Sequence, residues 1–184
     1  YVYIKRKGEL IFEDDPDSAI NLSCLKQGIG LAGEDVGKVR IRKNSGIKKI
    51  LTIENLTTFF RWQEKDSLMI YLGGYHNSVR RKLLELLYQD FPKAEYLHFG
   101  DIDVGGFEIY RDLCRKTGIP FKTYHMGIEE LEKYEAYTQE LTGNDRKRLA
   151  ALIQKAESEG KDIRVLLYMK EKGRKLEQEG IRQV

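Results

Sequence analysis

Sulfur is scarce in this chain. Two cysteines, Cys24 and Cys114, stand far apart without C-x-x-C spacing, which argues against a disulfide scaffold and a structural zinc and fits a reducing cytoplasm. No apolar run approaches the roughly 18 residues that span a bilayer, and no signal peptide is visible, so no membrane role is expected. Repeats, low-complexity tracts and basic tails are also missing. Lys and Arg are scattered, and a formal net charge of +3 permits a nucleic-acid partner without requiring one. What is present, 41% hydrophobic and 33% charged residues over 184 positions, describes one globular domain with a sizeable core and room for a small second lobe. The chain opens at Tyr1 in what reads as a strand, which suggests a fragment of a longer protein with domains upstream.

Read in order, residues 1–13 predict two short strands around Gly8, stopped by the turn residues Asp14-Asp15-Pro16-Asp17-Ser18. Gly28-Ile29-Gly30-Leu31-Ala32-Gly33 matches a dinucleotide fingerprint formally. It fails on context, because Val39-Arg40-Ile41-Arg42 continues in strand-like alternation where the fingerprint needs a helix. That strand places Lys38, Arg40 and Arg42 on one face, either solvated or contacting phosphate. Asn44-Ser45-Gly46 closes a β-rich entry segment, residues 1–46.

A core over residues 47–134 follows. Strands are expected at Lys48–Ile53, Ser67–Leu72, from Tyr96 and at Ile119–His125, the last demoted to an edge by Pro120. Helices are expected at Leu56–Trp62, after a cap at Asn77 or Ser78, and over Val104–Thr117 until Gly118. Alternation of strand and helix means an α/β fold with a mainly parallel four-stranded sheet flanked by helices. Residues 135–184 read as a helical C-terminal extension packed on the core. Beyond Met126 the expected helices are Glu129–Leu141, Asp145–Ser158 with Asp145 as N-cap, and Ile163–Glu179 interrupted at Gly173.

The chemistry gathers at strand ends. Gly100-Asp101-Ile102-Asp103-Val104-Gly105-Gly106 puts two carboxylates at the C-terminal end of a strand, and Glu54 ends another. In a parallel sheet both ends lie on one edge. At about 5 Å and an effective dielectric near 20, each carboxylate pair costs roughly 3 kcal/mol, so the cluster wants a cation or a shared proton. Oxygen ligands without Cys favour Mg²⁺ or Mn²⁺. Gly73, Gly74, Arg80 and Arg81, and Gly105 and Gly106, are candidates for phosphate contact at strand-to-helix turns. His125 lies on the same edge. His76 and His98 read as surface or core histidines.

These segments carry a resemblance. I-E-N-L-T-T-F at 53–59, G-G-Y at 73–75, G-D-I-D-V-G-G-F at 100–107 and L-E-Q-E at 176–179 resemble the Toprim domain, most of all the C-terminal domain family of JetD, the nuclease subunit of Wadjet plasmid-defence systems. The likeness is concentrated in residues 48–134, with L-E-Q-E outlying. It implies a Toprim-like core and a Mg²⁺- or Mn²⁺-dependent site that hydrolyses a DNA phosphodiester, with Glu54, Asp101 and Asp103 as catalytic residues and metal ligands. Glu177 and Glu179 would be outer ligands. The implied partners are double-stranded plasmid DNA, an SMC-type motor complex and a second copy in a full-length homodimer. Two other readings stay open: a subunit that cleaves strands as the topoisomerase VI A subunit does, using a tyrosine from another domain, and a catalytically silent DNA-binding or assembly module. An aspartyl phosphatase lacks its supporting Lys and later acidic pair.

Overall fold

The computed structural model describes residues 1–75 and 77–182, so His76 lies outside the described residues. Strands β1 (Val2–Arg6), β2 (Glu9–Phe12), β3 (Ala19–Asn21), β4 (Ile29–Leu31) and β5 (Val39–Ile41) come first. Then β6 (Lys49–Ile53), α1 (Leu56–Arg61), β7 (Ser67–Tyr71), α2 (Ser78–Asp90), β8 (Glu95–Phe99), α3 (Val104–Thr117) and β9 (Lys122–Thr123) alternate. The chain ends with α4 (Ile128–Lys133), β10 (Gln139–Glu140), α5 (Gly143–Ser158), α6 (Arg164–Lys172) and β11 (Arg174–Lys175).

The main sheet is larger than the mainly parallel four-stranded one expected from the sequence. It is six-stranded and mixed, in the order β4-β1-β7-β6-β8-β9. The pairings β7–β6, β6–β8 and β8–β9 are parallel, whereas β1 lies antiparallel to both β7 and β4. Thus the entry segment divides, two of its strands extending this sheet and β3-β2-β5 forming a small antiparallel sheet. The rejected fingerprint contains β4, a strand. Arg40 and Arg42 of the basic stripe pair with Glu13 and Glu9, which favours the solvated reading of that face.

Strand β6 is central, and its sequence says why: Ile50, Leu51 and Ile53 are all fully buried, as expected of a strand covered on both faces. The two-residue period then sorts side chains. Ile50, Leu68, Ile70 and Tyr96 join the core under α2 and α3, with Leu84 and Leu113. Leu51, Ile53, Met69, Leu97 and Phe99 join the opposite core, where Trp62, Leu149, Leu152, Leu166 and Met169 cover them. Residues from α5 and α6 therefore seal the second face of the sheet.

Three helix boundaries depart from expectation in this region. The helix expected over Glu129–Leu141 stops at Lys133, and the chain continues as a 3₁₀ turn at Glu135–Tyr137 and then β10, which pairs with β11. Asp145 is not the N-cap of α5. Thr142 holds that place and accepts from the Asp145 N–H, while Asp145 reaches back to the Thr142 N–H in a capping box. Gly173, at φ 65°, ends α6 as expected, but no helix resumes beyond it: β11 and a 3₁₀ turn at Gln178–Gly180 follow.

Candidate active site

Strands β6 and β8 are direct neighbours, with Ile53 opposite Phe99. From β6 the chain crosses to β7 on one side, then returns to β8 on the other, so β6 is a switch point of the sheet, where α/β folds open a crevice. Glu54 leaves β6 with its N–H donating to the Phe99 carbonyl at 3.0 Å. Asn55 then caps α1 by accepting from the Thr58 N–H at 2.9 Å. On the next strand Asp103 caps α3, accepting from the Gly106 N–H at 2.7 Å. The Asp-x-Asp pair is thus held between a strand end and a helix N-terminus.

Two glycines allow this crowding. A Cβ on Gly106 would lie 2.2 Å from the Asp101 carbonyl oxygen, and one on Gly100 would lie 2.6 Å from Glu54 Oε2. Only residues without a side chain let α3 and the strand end approach so closely.

The carboxylates share a strained electrostatic environment. Burial, reinforced by Asp101 and Asp103, pushes Glu54 up to about 7, with a small offset from the Asp101 backbone. Burial likewise pushes Asp101 up to about 6; the Gln178 N–H opposes this, while Asp103, Glu177 and Glu179 add to it. Glu54 Oε2 is buried and accepts no hydrogen bond among the described residues. A buried carboxylate oxygen without a donor is unusual and marks a place where a cation or proton is wanted. Among the described residues, no three His, Cys, Asp or Glu side chains converge into a ready-made metal cage. Hard oxygen donors of this kind still suit Mg²⁺ or Mn²⁺, since such ions commonly take one or two carboxylates and complete their shell with water and phosphate. The carboxyl groups of Glu54, Asp101 and Asp103 match that donor type.

The outlying L-E-Q-E segment reaches this edge. Leu176 and Ile102 exchange backbone hydrogen bonds at 2.8 and 3.0 Å, which lays the C-terminal strap beside the Asp-x-Asp loop. Glu177 accepts from Gln139 Nε2 at 3.2 Å, and Glu179 from Asn55 Nδ2 at 2.9 Å. Between them Gln178 is fully buried, its N–H donating to Asp101 Oδ1 at 2.6 Å. Gln178 was not singled out from the sequence, where its charged neighbours were the only visible signal.

The other candidates are placed as follows. Gly73 and Gly74 turn from β7 towards α2 with φ of 67° and 71°. Arg80 and Arg81 lie half-buried in the first turn of α2, the Arg80 guanidinium 5.4 Å from the centre of the Tyr71 ring. Gly105 and Gly106 open α3, with the Gly106 N–H engaged by Asp103. His125, at φ 52°, follows β9; its Nδ1 is 2.9 Å from Glu130 Oε1 and its ring packs edge-on against Trp62. Next to it, Met126 Sδ accepts from the Gly100 N–H at 3.3 Å. His98 is a core residue, fully buried with Nδ1 3.0 Å from Thr52 Oγ1. One further residue escaped the sequence reading: Arg148 of α5, ion-paired with Glu108 and within electrostatic reach of Asp103. Tyr75, part of the G-G-Y segment, is exposed and senses Glu108, Arg148 and Glu54. Arg148 comes near Asp103 through packing of α5 on α3.

The family model described as Wadjet protein JetD, C-terminal, matches residues 15–184. The Wadjet protein JetD of Bacillus cereus (strain Q1) is 26% identical over 157 residues, an alignment covering 83% of this chain. The chain spans only 37% of that relative's length. Among the described residues no helix is long and apolar enough to cross a membrane.

Proposed function

The chain belongs to the JetD C-terminal family, and from that premise we propose that its carboxylate mouth is a Toprim-type nuclease site that hydrolyses a phosphodiester of double-stranded DNA. The observation that carries the reading is Glu54 Oε2, buried without a hydrogen-bond donor beside Asp101 and Asp103. Glu54, Asp101 and Asp103 would hold Mg²⁺ or Mn²⁺, with Glu177 and Glu179 adding negative charge near Asp101. Such an ion, when bound, would supply Lewis-acid stabilisation to a phosphate oxygen.

The chain's own residues do the rest. Glu54, raised to about 7, can take up or release a proton near neutral pH, which suits a general acid or base. Arg148, ion-paired with Glu108, lies within electrostatic reach of Asp103. Gly73, Gly74, Arg80, Arg81, Gly105 and His125 lie on strand-end turns or in the helix turns that follow them, and present the groups for phosphate contact. Burial of the acids below the mouth keeps water from screening them. In the longer protein the domain works within a Wadjet plasmid-defence complex, as a homodimer to which an SMC-type motor delivers plasmid DNA.

The test has two stages. Calorimetric titration with Mn²⁺ should show saturable binding by the wild type and none by Asp101→Ala/Asp103→Ala. Full-length protein with its complex should then linearise plasmid in Mg²⁺, without a covalent protein–DNA adduct, and Glu54→Gln should abolish cutting. Absence of wild-type binding up to millimolar metal would refute a preformed site. A stable adduct would transfer the chemistry to a tyrosine nucleophile.

A further inference from the structure

We infer that Gln178 is the positioning residue of the carboxylate site, fixing Glu54 and Asp101 relative to one another by clamping the ends of β6 and β8 together from the C-terminal strap. The inference rests on the metal-site reading above and deepens it. Three hydrogen bonds converge on this one residue. Its backbone N–H donates to Asp101 Oδ1 at 2.6 Å, its side-chain Nε2 donates to the Phe99 carbonyl at 2.8 Å, and its Oε1 accepts from the Asn55 N–H at 2.8 Å. Phe99 is the last residue of β8, and Asn55 directly follows Glu54. One fully buried amide therefore grips both strand ends while its own backbone grips the aspartate.

The chemistry selects glutamine. The site needs a donor on one side and an acceptor on the other, at the reach of two methylenes, and the glutamine amide offers both without charge at any pH. A glutamate would lose the donor to Phe99 and bury a further negative charge beside Asp101. Asparagine is one methylene too short to span the same pair. The flanking acids face other partners, Glu177 the Gln139 amide and Glu179 the Asn55 amide, so the residue between them makes the contacts that set the geometry.

The strap does not depend on Gln178 for its place. Leu176 and Ile181 are buried, Leu176 pairs with Ile102, Arg61 donates to the Glu179 and Ile181 carbonyls at 3.1 and 3.0 Å, and the Tyr134 hydroxyl donates to the Arg182 carbonyl at 2.7 Å. Replacing the amide should thus loosen the site without releasing the segment.

Gln178→Met, close in length, without a donor and with only a weak acceptor, separates these roles. In metal-free protein, amide hydrogen exchange at Asn55 should quicken at least about 10-fold, with exchange inside β6 and β7 unchanged. Mn²⁺ affinity by calorimetry should fall about 10–100-fold, the usual consequence of removing a partner that orients metal ligands. Leu166→Ala, in the core behind the sheet, should lower the melting temperature without moving Mn²⁺ affinity. Unchanged exchange at Asn55, or Mn²⁺ affinity within about twofold of wild type, would overturn the inference. Should the wild type itself bind no Mn²⁺, the metal reading fails. Exchange then decides alone: acceleration confined to Asn55 keeps Gln178 as the clamp, and none removes it. If Gln178→Met does not fold, Gln178→Asn, which keeps the amide but falls one methylene short of spanning Asn55 and Phe99, carries the same readouts.

Discussion

Replacing Glu54 by glutamine is expected to change how stability depends on pH, in a direction set by the carboxyl's burial. Glu54 titrates at about 7 in the folded protein against 4.5 ordinarily. Between those values the folded form holds a proton that the unfolded chain has released. Stability contributed by neutral Glu54 is therefore fully present below pH 4.5 and lost as pH rises through 7. The interval from 4.5 to about 7 corresponds to about 3 kcal/mol. For a domain of this length that is about 6–12 °C in melting temperature. Glutamine cannot ionise, so the variant escapes the loss, whereas Asp101, raised to about 6, acts in the same sense in both proteins and cancels in the comparison. Thermal melts at matched ionic strength with chelator present, from pH 4.5 to 8, should show the Tm of Glu54→Gln gaining about 6–12 °C on the wild type across the range. Asp145 and Asp162, both held at about 2, titrate below this window. Mn²⁺ at about 100 times its Kd should then raise the wild-type stability at pH 8 by about 2.7 kcal/mol and narrow the gap. Parallel pH profiles for the two proteins would refute the argument.

Other substitutions probe the supports of the same edge. Gly106→Ala forces a Cβ to within 2.2 Å of the Asp101 carbonyl and should cost about 1–3 kcal/mol in denaturant unfolding while weakening Mn²⁺ binding. Asp103→Ala removes the α3 cap and should lower stability by about 1 kcal/mol, together with loss of Mn²⁺ binding; Asp103→Ser should restore the first and not the second. Lys5 is fully buried, donating to the Phe60 and Trp62 carbonyls at 3.0 and 2.9 Å, and burial lowers it to about 8. Between pH 8 and 10.5 the unfolded chain holds the extra proton, so wild-type stability should rise with pH across that window, a slope that Lys5→Met should abolish.

Much of the site was legible because its parts are local. Asp-x-Asp at a strand end followed by a glycine pair and a helical run is a continuous stretch, and Asp103 caps α3 where the pattern changes from strand to helix. The parallel order of β6, β7 and β8 follows from their alternation with helices, which brings Glu54 and Asp101 to one edge. The C-terminal boundaries were harder. Glu129–Leu141 is mostly helix-favouring, with Tyr134, Tyr137 and Thr138 the weaker formers; the chain leaves the helix after Lys133, and residues 139–140 pair with β11, a partner more than thirty positions away.

The sequence by itself determined the ends of β6 and β8, the Asn77 cap of α2 and the acidic residues, since each depends on the few residues around it. Only the tertiary structure decided that β1 and β4 would widen the sheet, that Arg148 would come near Asp103 from α5, and that Gln178 would sit beneath Asp101. Those contacts join segments of the chain far apart in sequence, and packing selects them through volumes and hydrogen-bond partners that no local pattern encodes.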